Sequence, residues 1–447
     1  MNFSRRDFIR TLGAGAGMCL AGLGIPGCSG GAGGDFASSD PSATPLWPAG
    51  NARNKIVVIS DLHLGIDDKY TENLKNRPLL IRFLQCLQNT SDVRELVIAG
   101  DFLDEWYLPV YYPVYTDQSL FYKSVIANNQ GVFNELNNVI ASGIKLVYVP
   151  GNHDLTLAAD VLQEALPGLL QARDVKGLGA YYTGDRNEIV IEHGHRYDMF
   201  SAPDTLSNAQ LCGNENTILP AGYFYARYAA TWVLEGRPSA AKSLPEVTNI
   251  PDINNTDQYG AYLYYATLKK ISTRMTPYES LSEKIFNMRI CGFHDAYSYL
   301  DFYPAQQADG TISAPLLFRN IQRTWAGRQT LNQVKVPDSF IEAVTGALAF
   351  ESFFKQAKAQ YLENPAEKVD VVVFGHTHVP SYRDIGNGKC YLNSGTWIDH
   401  NLNYPNADRT FAVITTGEQD TTAVYSFVEE GSVVNVTISV SAVSPQN

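Results

Sequence analysis

The chain has 447 residues, 45% of them hydrophobic and 18% charged. That is enough apolar material for a large core and too much for a disordered chain. Its formal charge of −12 is the wrong sign for holding long nucleic acid or anionic lipid by counterion release. Six cysteines with no CxxC pair exclude a disulfide scaffold and a zinc ribbon as the organising device.

Residues 1–28 read as an address and residues 29–50 as a flexible tether. Ser4-Arg5-Arg6-Asp7-Phe8-Ile9 resembles a twin-arginine export signal. The uncharged run from Thr11 to Gly27 that follows it is shorter than the roughly 20 residues that span a bilayer. Ile25-Pro26-Gly27-Cys28 is similar to a lipoprotein cleavage site. Two outcomes stay open: a periplasmic protein anchored by a lipid on Cys28, or one cut by an ordinary signal peptidase and left soluble.

Beyond the tether, short apolar runs rich in β-branched residues predict buried strands at Lys55–Ser60, Glu95–Ala99, Lys145–Val149, Glu188–Glu192 and Val369–Phe374. Helical spacing predicts helices over Arg77–Gln88 and Ser119–Ile140. Strand and helix in alternation argue an α/β core, over residues 51–199 and 338–447. Residues 200–337 break the rhythm with aromatic-rich helical stretches at Tyr223–Leu234, Tyr259–Thr273 and Glu279–Met288, which predict a helical cap inserted into that core. A helix over Phe340–Tyr361 leads back. After residue 388, runs at Cys390–Asn393, Thr410–Thr415, Thr422–Val428 and Val433–Val440 predict a second, antiparallel sheet.

The informative residues stand where strands end. Asp61-Leu62-His63 follows the first, Gly100-Asp101 the second and Gly151-Asn152-His153-Asp154 the third. His193-Gly194-His195 follows the fourth and Gly375-His376-Thr377-His378 the fifth. Ligands of α/β sheets bind at the carboxyl ends of the strands, so these turns are expected to converge on one mouth. Side chains two apart on extended chain share a face, which pairs Asp61 with His63 and His376 with His378. Asp, Asn and His together suit Mn²⁺, Zn²⁺, Fe²⁺ or Co²⁺. They are too many for one ion, and two ions sharing a carboxylate account for them better. Asp-x-His or Gly-Asp alone is commonly a turn or a cap. The ordered set carries the argument.

This series resembles the calcineurin-like metallophosphoesterase superfamily. The resemblance implies a two-sheet sandwich flanked by helices. It also implies one metal on Asp61, His63 and His378, a second on Asn152, His193 and His376, and Asp101 between them. His153 would meet the leaving group, oriented by Asp154. Purple acid phosphatases carry an iron-binding Tyr three residues after the shared Asp; here Asp104 stands there, against a tyrosinate–iron site. Gly100–Trp106 and Gly375–Pro380 look closer to the UDP-2,3-diacylglucosamine diphosphatase branch, although that branch tends to carry Arg at the position of His153.

The expected function is therefore a binuclear, metal-dependent phosphoesterase that opens a phosphate ester or diphosphate with a metal-bridging hydroxide. Its substrate would be a small molecule or phospholipid-like ester, without long nucleic acid; its only membrane link would be the N-terminal lipid. His195 is expected to touch substrate or to support His193, and Trp106 and Tyr107 open a loop that either walls the leaving-group side or packs beneath the cap. His294 and His400 read as ordinary polar residues. The alternatives are a nucleotide phosphodiesterase and a catalytically silent surface-binding lipoprotein of the same fold.

Overall fold

The computed structural model describes residues 43–48, 50, 52–113, 115–213, 217–238, 244–273, 275, 280–347, 349, 351–401, 408–428 and 431–441. The twin-arginine stretch, Cys28 and most of the expected tether lie outside them.

In chain order the strands are β1 (Lys55–Ile59), β2 (Val93–Ala99), β3 (Lys145–Val149), β4 (Leu170–Gln171), β5 (Tyr181–Thr183) and β6 (Ile189–Ile191). Two small hairpins follow, β7 (Phe286–Asn287) with β8 (Ala296–Tyr297) and β9 (Ala305–Gln306) with β10 (Ile312–Ser313). The rest are β11 (Val371–Phe374), β12 (Ser381–Gly386), β13 (Lys389–Asn393), β14 (Thr410–Thr415), β15 (Thr421–Phe427) and β16 (Val433–Asn435). One sheet has seven strands in the order β16-β15-β14-β1-β2-β3-β4, and a second has five in the order β12-β13-β11-β6-β5.

Alternation along the strands builds the layers. Ile56, Val58, Val97, Val147 and Val149 of the larger sheet meet Ile189, Ile191, Val371 and Val373 of the smaller. Their neighbours Val57, Ile59, Leu96, Ile98 and Leu146 face the helices Arg77–Gln88, Gln118–Asn128 and Gln130–Ala141. The outer face of the smaller sheet, Val190, Val372 and Phe374, packs under Phe353, Ala357 and Tyr361. The fold is a mixed α/β sandwich of two sheets flanked by helices. Among the described residues no helix is long and apolar enough to cross a membrane.

Several expectations are corrected. The strands beyond residue 388 do not make a separate antiparallel sheet. β13 runs parallel to β11 in the smaller sheet, whereas β14 pairs antiparallel with β1 and carries β15 and β16 onto the edge of the larger one. Local pattern reports strands but not their partners. Val433–Val440 is a strand only to Asn435, and Thr437–Ser441 is helical. Ser119–Ile140 is two helices, broken at Asn129, whose side-chain amide turns aside to donate to the carbonyls of Gly65 and Val125. Phe340–Tyr361 is likewise divided into Phe340–Gly346, Glu351–Ala357 and a π-helical turn over Lys358–Leu362. The described part of Glu279–Met288 is a turn leading into β7 rather than a helix. The end of the expected tether is fastened: Ala43 and Leu46 are buried, and the Trp47 indole N–H donates to Asp92 at 2.7 Å.

Between β6 and β11 the helices Ala221–Leu234, Thr256–Ser272 and Ile321–Leu331 share one aromatic-rich cluster that reaches Ala347 and takes in Trp106, Val110 and Leu155. Phe224 is surrounded by the rings of Phe286, Phe293, Phe302 and Phe318 at 5.5–5.8 Å.

Candidate metal centre

The carboxyl ends of β1, β2 and β3 meet those of β6 and β11, so residues from both sheets converge. Asp61, His63, Asp101, His376 and His378 all have positive φ, between 46° and 70°. Left-handed backbone is uncommon for residues with a side chain and costs energy that the surroundings must hold in place. The sharing of a side by Asp61 and His63 thus comes from left-handed turns after β1 and not from strand pleating. Gly100, at φ 83°, supplies the turn before Asp101. Gly151 is required for a different reason: a Cβ there would lie 2.1 Å from the Asp101 nitrogen.

Two clusters meet at Asp101, and a third group, His63 with Asp104 and His153, adjoins the first. His378 Nε2 lies 3.0 Å from His63 Nε2 and 3.1 Å from Asp61 Oδ1. His63 Nε2 is 3.6 Å from Asp101 Oδ2. On the other side, His193 Nε2 is 3.2 Å from the same Asp101 oxygen and 3.1 Å from Asn152 Oδ1, and His376 completes a group with Asp101 and His193. Asp101 belongs to both.

The hydrogen bonds assign which atom of each side chain faces inward. Asp61 Oδ2 accepts from the Ser60 hydroxyl and the His376 N–H, leaving buried Oδ1 without a hydrogen-bond partner. Asp101 Oδ1 accepts from the His153 N–H at 2.9 Å, and its buried Oδ2 has no partner. His63 Nδ1 donates to Asp104 at 2.7 Å and His193 Nδ1 to the Ala99 carbonyl at 2.8 Å, so each ring turns Nε2, the nitrogen that carries the lone pair when the ring is neutral, to the centre. His376 is reversed: Nε2 donates to Asp198 Oδ2 at 3.1 Å, and buried Nδ1 is unpartnered. Buried polar atoms without partners are costly. Lone pairs and carboxylate oxygens collected around one space fit divalent cations.

The charges agree. Burial works against a charge on His193, yet Asp101 and Asp61 outweigh it and raise its pKa to about 9, the response of a buried site with surplus negative charge. Burial, joined by the neighbouring His153, holds His63 below the usual imidazole range, the neutral form a ligand needs.

The orienting carboxylate of His153 is not Asp154, as expected, but Asp104. His153 Nδ1 donates to Asp104 Oδ1 at 2.9 Å. Asp154 instead accepts the backbone N–H groups of Phe102 and Gly151, and burial followed by the Asp101 charge raises its pKa to about 6. Asp104 also takes the Trp106 and Tyr107 N–H groups, so one carboxylate fixes His63, His153 and the start of the loop. His153 Nε2 has no protein partner. Trp106 is buried and stacks on the His153 ring, with Tyr223 of the inserted helix edge-on beyond it; Tyr107 is half-buried.

His195 donates from Nε2 to the Gly177 carbonyl at 3.0 Å, with its ring 5.3 Å from that of His193 and outside both clusters. Beneath the site, Asn393 donates to the Gly375 carbonyl and the Thr396 hydroxyl to that of Asp61. His294 is exposed and His400 half-buried, outside the clusters. Asp198 lies outside the motif His193-Gly194-His195. A carboxylate three residues on was its one sequence signal.

Residues 54–224 match the family model described as Calcineurin-like phosphoesterase. The part of the chain that supplies Asp61 through His193 is therefore similar to that family, while His376 and His378 come from beyond the matched residues. Among solved structures, a dimetal phosphatase from Danio rerio is 10% identical, covering 87% of this chain and 99% of its own, at a TM-score of 0.34. The phosphopantetheinyl hydrolase of Mycobacterium tuberculosis is 12% identical, covering 77% and 90%, at a TM-score of 0.23. No curated protein matches the chain.

Proposed function

We propose that the chain is a metal-dependent phosphoric ester hydrolase with a two-ion centre. The observation that carries this reading is Asp101 Oδ2, a buried oxygen without a hydrogen bond that faces His63 Nε2 and His193 Nε2 at once. Asp61, His63 and His378 would hold one ion, and Asn152, His193 and His376 the other, with Asp101 shared. The mixed oxygen and nitrogen donors suit Mn²⁺, Zn²⁺ or Fe²⁺. In an acidic protein, two ions held there would neutralise phosphoryl oxygens and would lower the pKa of water to about 7.

The chain's own residues do the rest. His153 presents Nε2, with Nδ1 tied to Asp104, and gives its proton to the oxygen of the departing alcohol. Trp106 holds the plane of that ring and excludes water from one face. Because Trp106 meets Tyr223, the insertion borders the leaving-group side, and in this reading it selects among small phosphate esters or phospholipid-like substrates. The likeness to the UDP-2,3-diacylglucosamine diphosphatase branch supports the shared core motifs; His153 and the long insertion argue for a different substrate. Residues 1–28 would direct export by the twin-arginine route to the periplasm, either with a lipid on Cys28 or after plain cleavage. Arg5→Lys with Arg6→Lys would then hold the protein in the cytoplasm.

Metal analysis with bis-p-nitrophenyl phosphate turnover tests the reading. Two ions per chain are expected, with activity lost to a chelator and restored by Mn²⁺ or Zn²⁺. Two ions without turnover of any phosphomonoester, diester or diphosphate would favour the silent binding protein; absence of both would overturn the proposal.

A further inference from the structure

We infer that Asp198 is the positioning residue through which the inserted segment fixes one of the two ion sites. The inference rests on the two-ion reading above.

Asp198 stands where the chain leaves the sandwich. It follows the short 3-10 turn His195–Tyr197 and begins the excursion toward the helix Ala221–Leu234. Its two carboxylate oxygens serve two structures. Oδ2 accepts from His376 Nε2 at 3.1 Å, and Oδ1 accepts from the Phe200 N–H at 3.0 Å. Its backbone carbonyl accepts from Ser201 and Ala202, closing the first turn of the insertion. Both Asp198 and His376 are buried, so water cannot replace either bond.

The consequence lies in which nitrogen of His376 remains. With Nε2 committed to Asp198, the ring presents Nδ1, which is buried and has no partner. An outer carboxylate of this kind sets the tautomer and the plane of a ligating imidazole. Of the other histidines at the centre, His63 and His193 are held from within the sandwich: His63 by Asp104 after β2, and His193 by Ala99 at the end of β2. Asp198 alone among these partners belongs to the root of the insertion.

A second clamp makes the root rigid. Arg328, fully buried on the helix Ile321–Leu331, donates from Nη2 to the carbonyls of Met199 and Ala202 at 3.1 and 2.7 Å. Its Nη1 lies 3.3 Å from Asp204 Oδ2. The path from the insertion to the ion site is therefore Arg328, the 198–202 turn, Asp198 and His376. Occupancy of that one site is tied to the docked insertion by this path, which does not pass through Asp61, His63 or His378.

The test is Co²⁺ or Mn²⁺ titration of the full-length protein with stoichiometry by metal analysis. Wild type binds two ions. Asp198→Ala is expected to keep one at wild-type affinity and to weaken the other about 10–100-fold. Asp198→Asn, whose side-chain oxygen still accepts from Nε2, recovers most of that loss. Arg328→Lys keeps the charge facing Asp204 but cannot make both backbone bonds; it should weaken the same ion, by less, with a folded circular-dichroism spectrum. His376→Ala identifies which ion is affected. If Asp198→Ala does not fold, the Asn and Lys variants decide. Two ions at unchanged affinity in every folded variant, or equal weakening of both, overturns the inference and leaves the two-ion reading intact. A wild-type chain that binds fewer than two ions overturns that reading and the inference with it.

Discussion

Trp106 lies against His153 with ring centroids 4.7 Å apart and planes 26° from parallel. Asp104 holds the edge of the same imidazole and also the backbone N–H of Trp106. The ring is thus fixed in plane by a carboxylate and out of plane by an indole, which leaves Nε2 a single direction in which to point; in the proposed reaction that is the direction of proton delivery.

Removing the indole should therefore cost turnover and not metal. Stacked aromatic pairs contribute about 0.5–1.5 kcal/mol beyond area burial, and 1.4 kcal/mol in a barrier is about tenfold in rate. Trp106→Leu is expected to lower kcat on alkyl phosphate esters by up to about tenfold with both ions retained, and Trp106→Phe by less. Steady-state kinetics with metal analysis on the same samples checks it. Loss of an ion in Trp106→Leu would mean that the indole supports the ligands instead.

In the proposed two-ion centre, Asp101 and His63 separate the two sites. The Asp101 oxygen faces both clusters, whereas His63 faces one. Asp101→Asn is expected to weaken both ions by more than about 100-fold, the upper cost of losing an outer-shell partner. His63→Ala should release chiefly one. Titration calorimetry with Mn²⁺ distinguishes them, and a single-ion loss in both variants would refute the shared carboxylate.

His153 sets a pH limb. Burial opposes a charge on its ring, but Asp104 and then Asp101 outweigh burial and raise its pKa above the usual imidazole value. A raised pKa keeps the proton on to higher pH, so donation to a leaving alkoxide is present below that value and is lost as pH rises through it. Asp104→Asn removes the largest raising influence and should move the alkaline limb of kcat/KM for alkyl esters to lower pH. Aryl esters, whose leaving groups need no proton, should show little shift. His153→Ala should cost alkyl esters about 10²–10⁴-fold and aryl esters much less. Equal losses on both would make His153 a group that positions substrate.

The chemistry-bearing turns were legible because each is a local event: an apolar run ends and Asp, Asn or His follows within three residues. The partners of those residues were less so. Asp154 adjoins His153 in sequence and was the natural orienting group, yet its carboxylate faces the backbone of Phe102 and Gly151. Asp104 reaches His153 only because the turns after β2 and β3 lie side by side in the parallel pairing of those strands. Asp198 meets His376 across 178 residues. Similarly, Thr410–Thr415 and Thr422–Val428 read as strands, but nothing in their alternation says that they extend the sheet at β1. Within the insertion, aromatic spacing shows a helix over Tyr223–Leu234, most of the observed Ala221–Leu234, whereas β7 is two residues long, too short to leave a period.

Gly151 gives the sharpest test of how tightly the centre is built. A Cβ at this position would stand 2.1 Å from the Asp101 nitrogen and 2.3 Å from Asp101 Oδ1. The obstruction is backbone, which cannot rotate away as a flexible side chain would. Gly151→Ala must therefore push the β3 turn off the β2 turn, breaking the bond from the His153 N–H to Asp101 and displacing the oxygen that both clusters share. The sheets are not involved, since β2 and β3 end before these turns. The expected outcome is a folded protein with native far-UV circular dichroism, greatly weakened binding of both ions and little turnover. Gly417→Ala, whose Cβ would meet nothing nearer than 3.6 Å, serves as the control and should change stability by no more than about 0.5 kcal/mol. If Gly151→Ala bound two ions as wild type does, the close approach of these turns would not be what holds Asp101 in place.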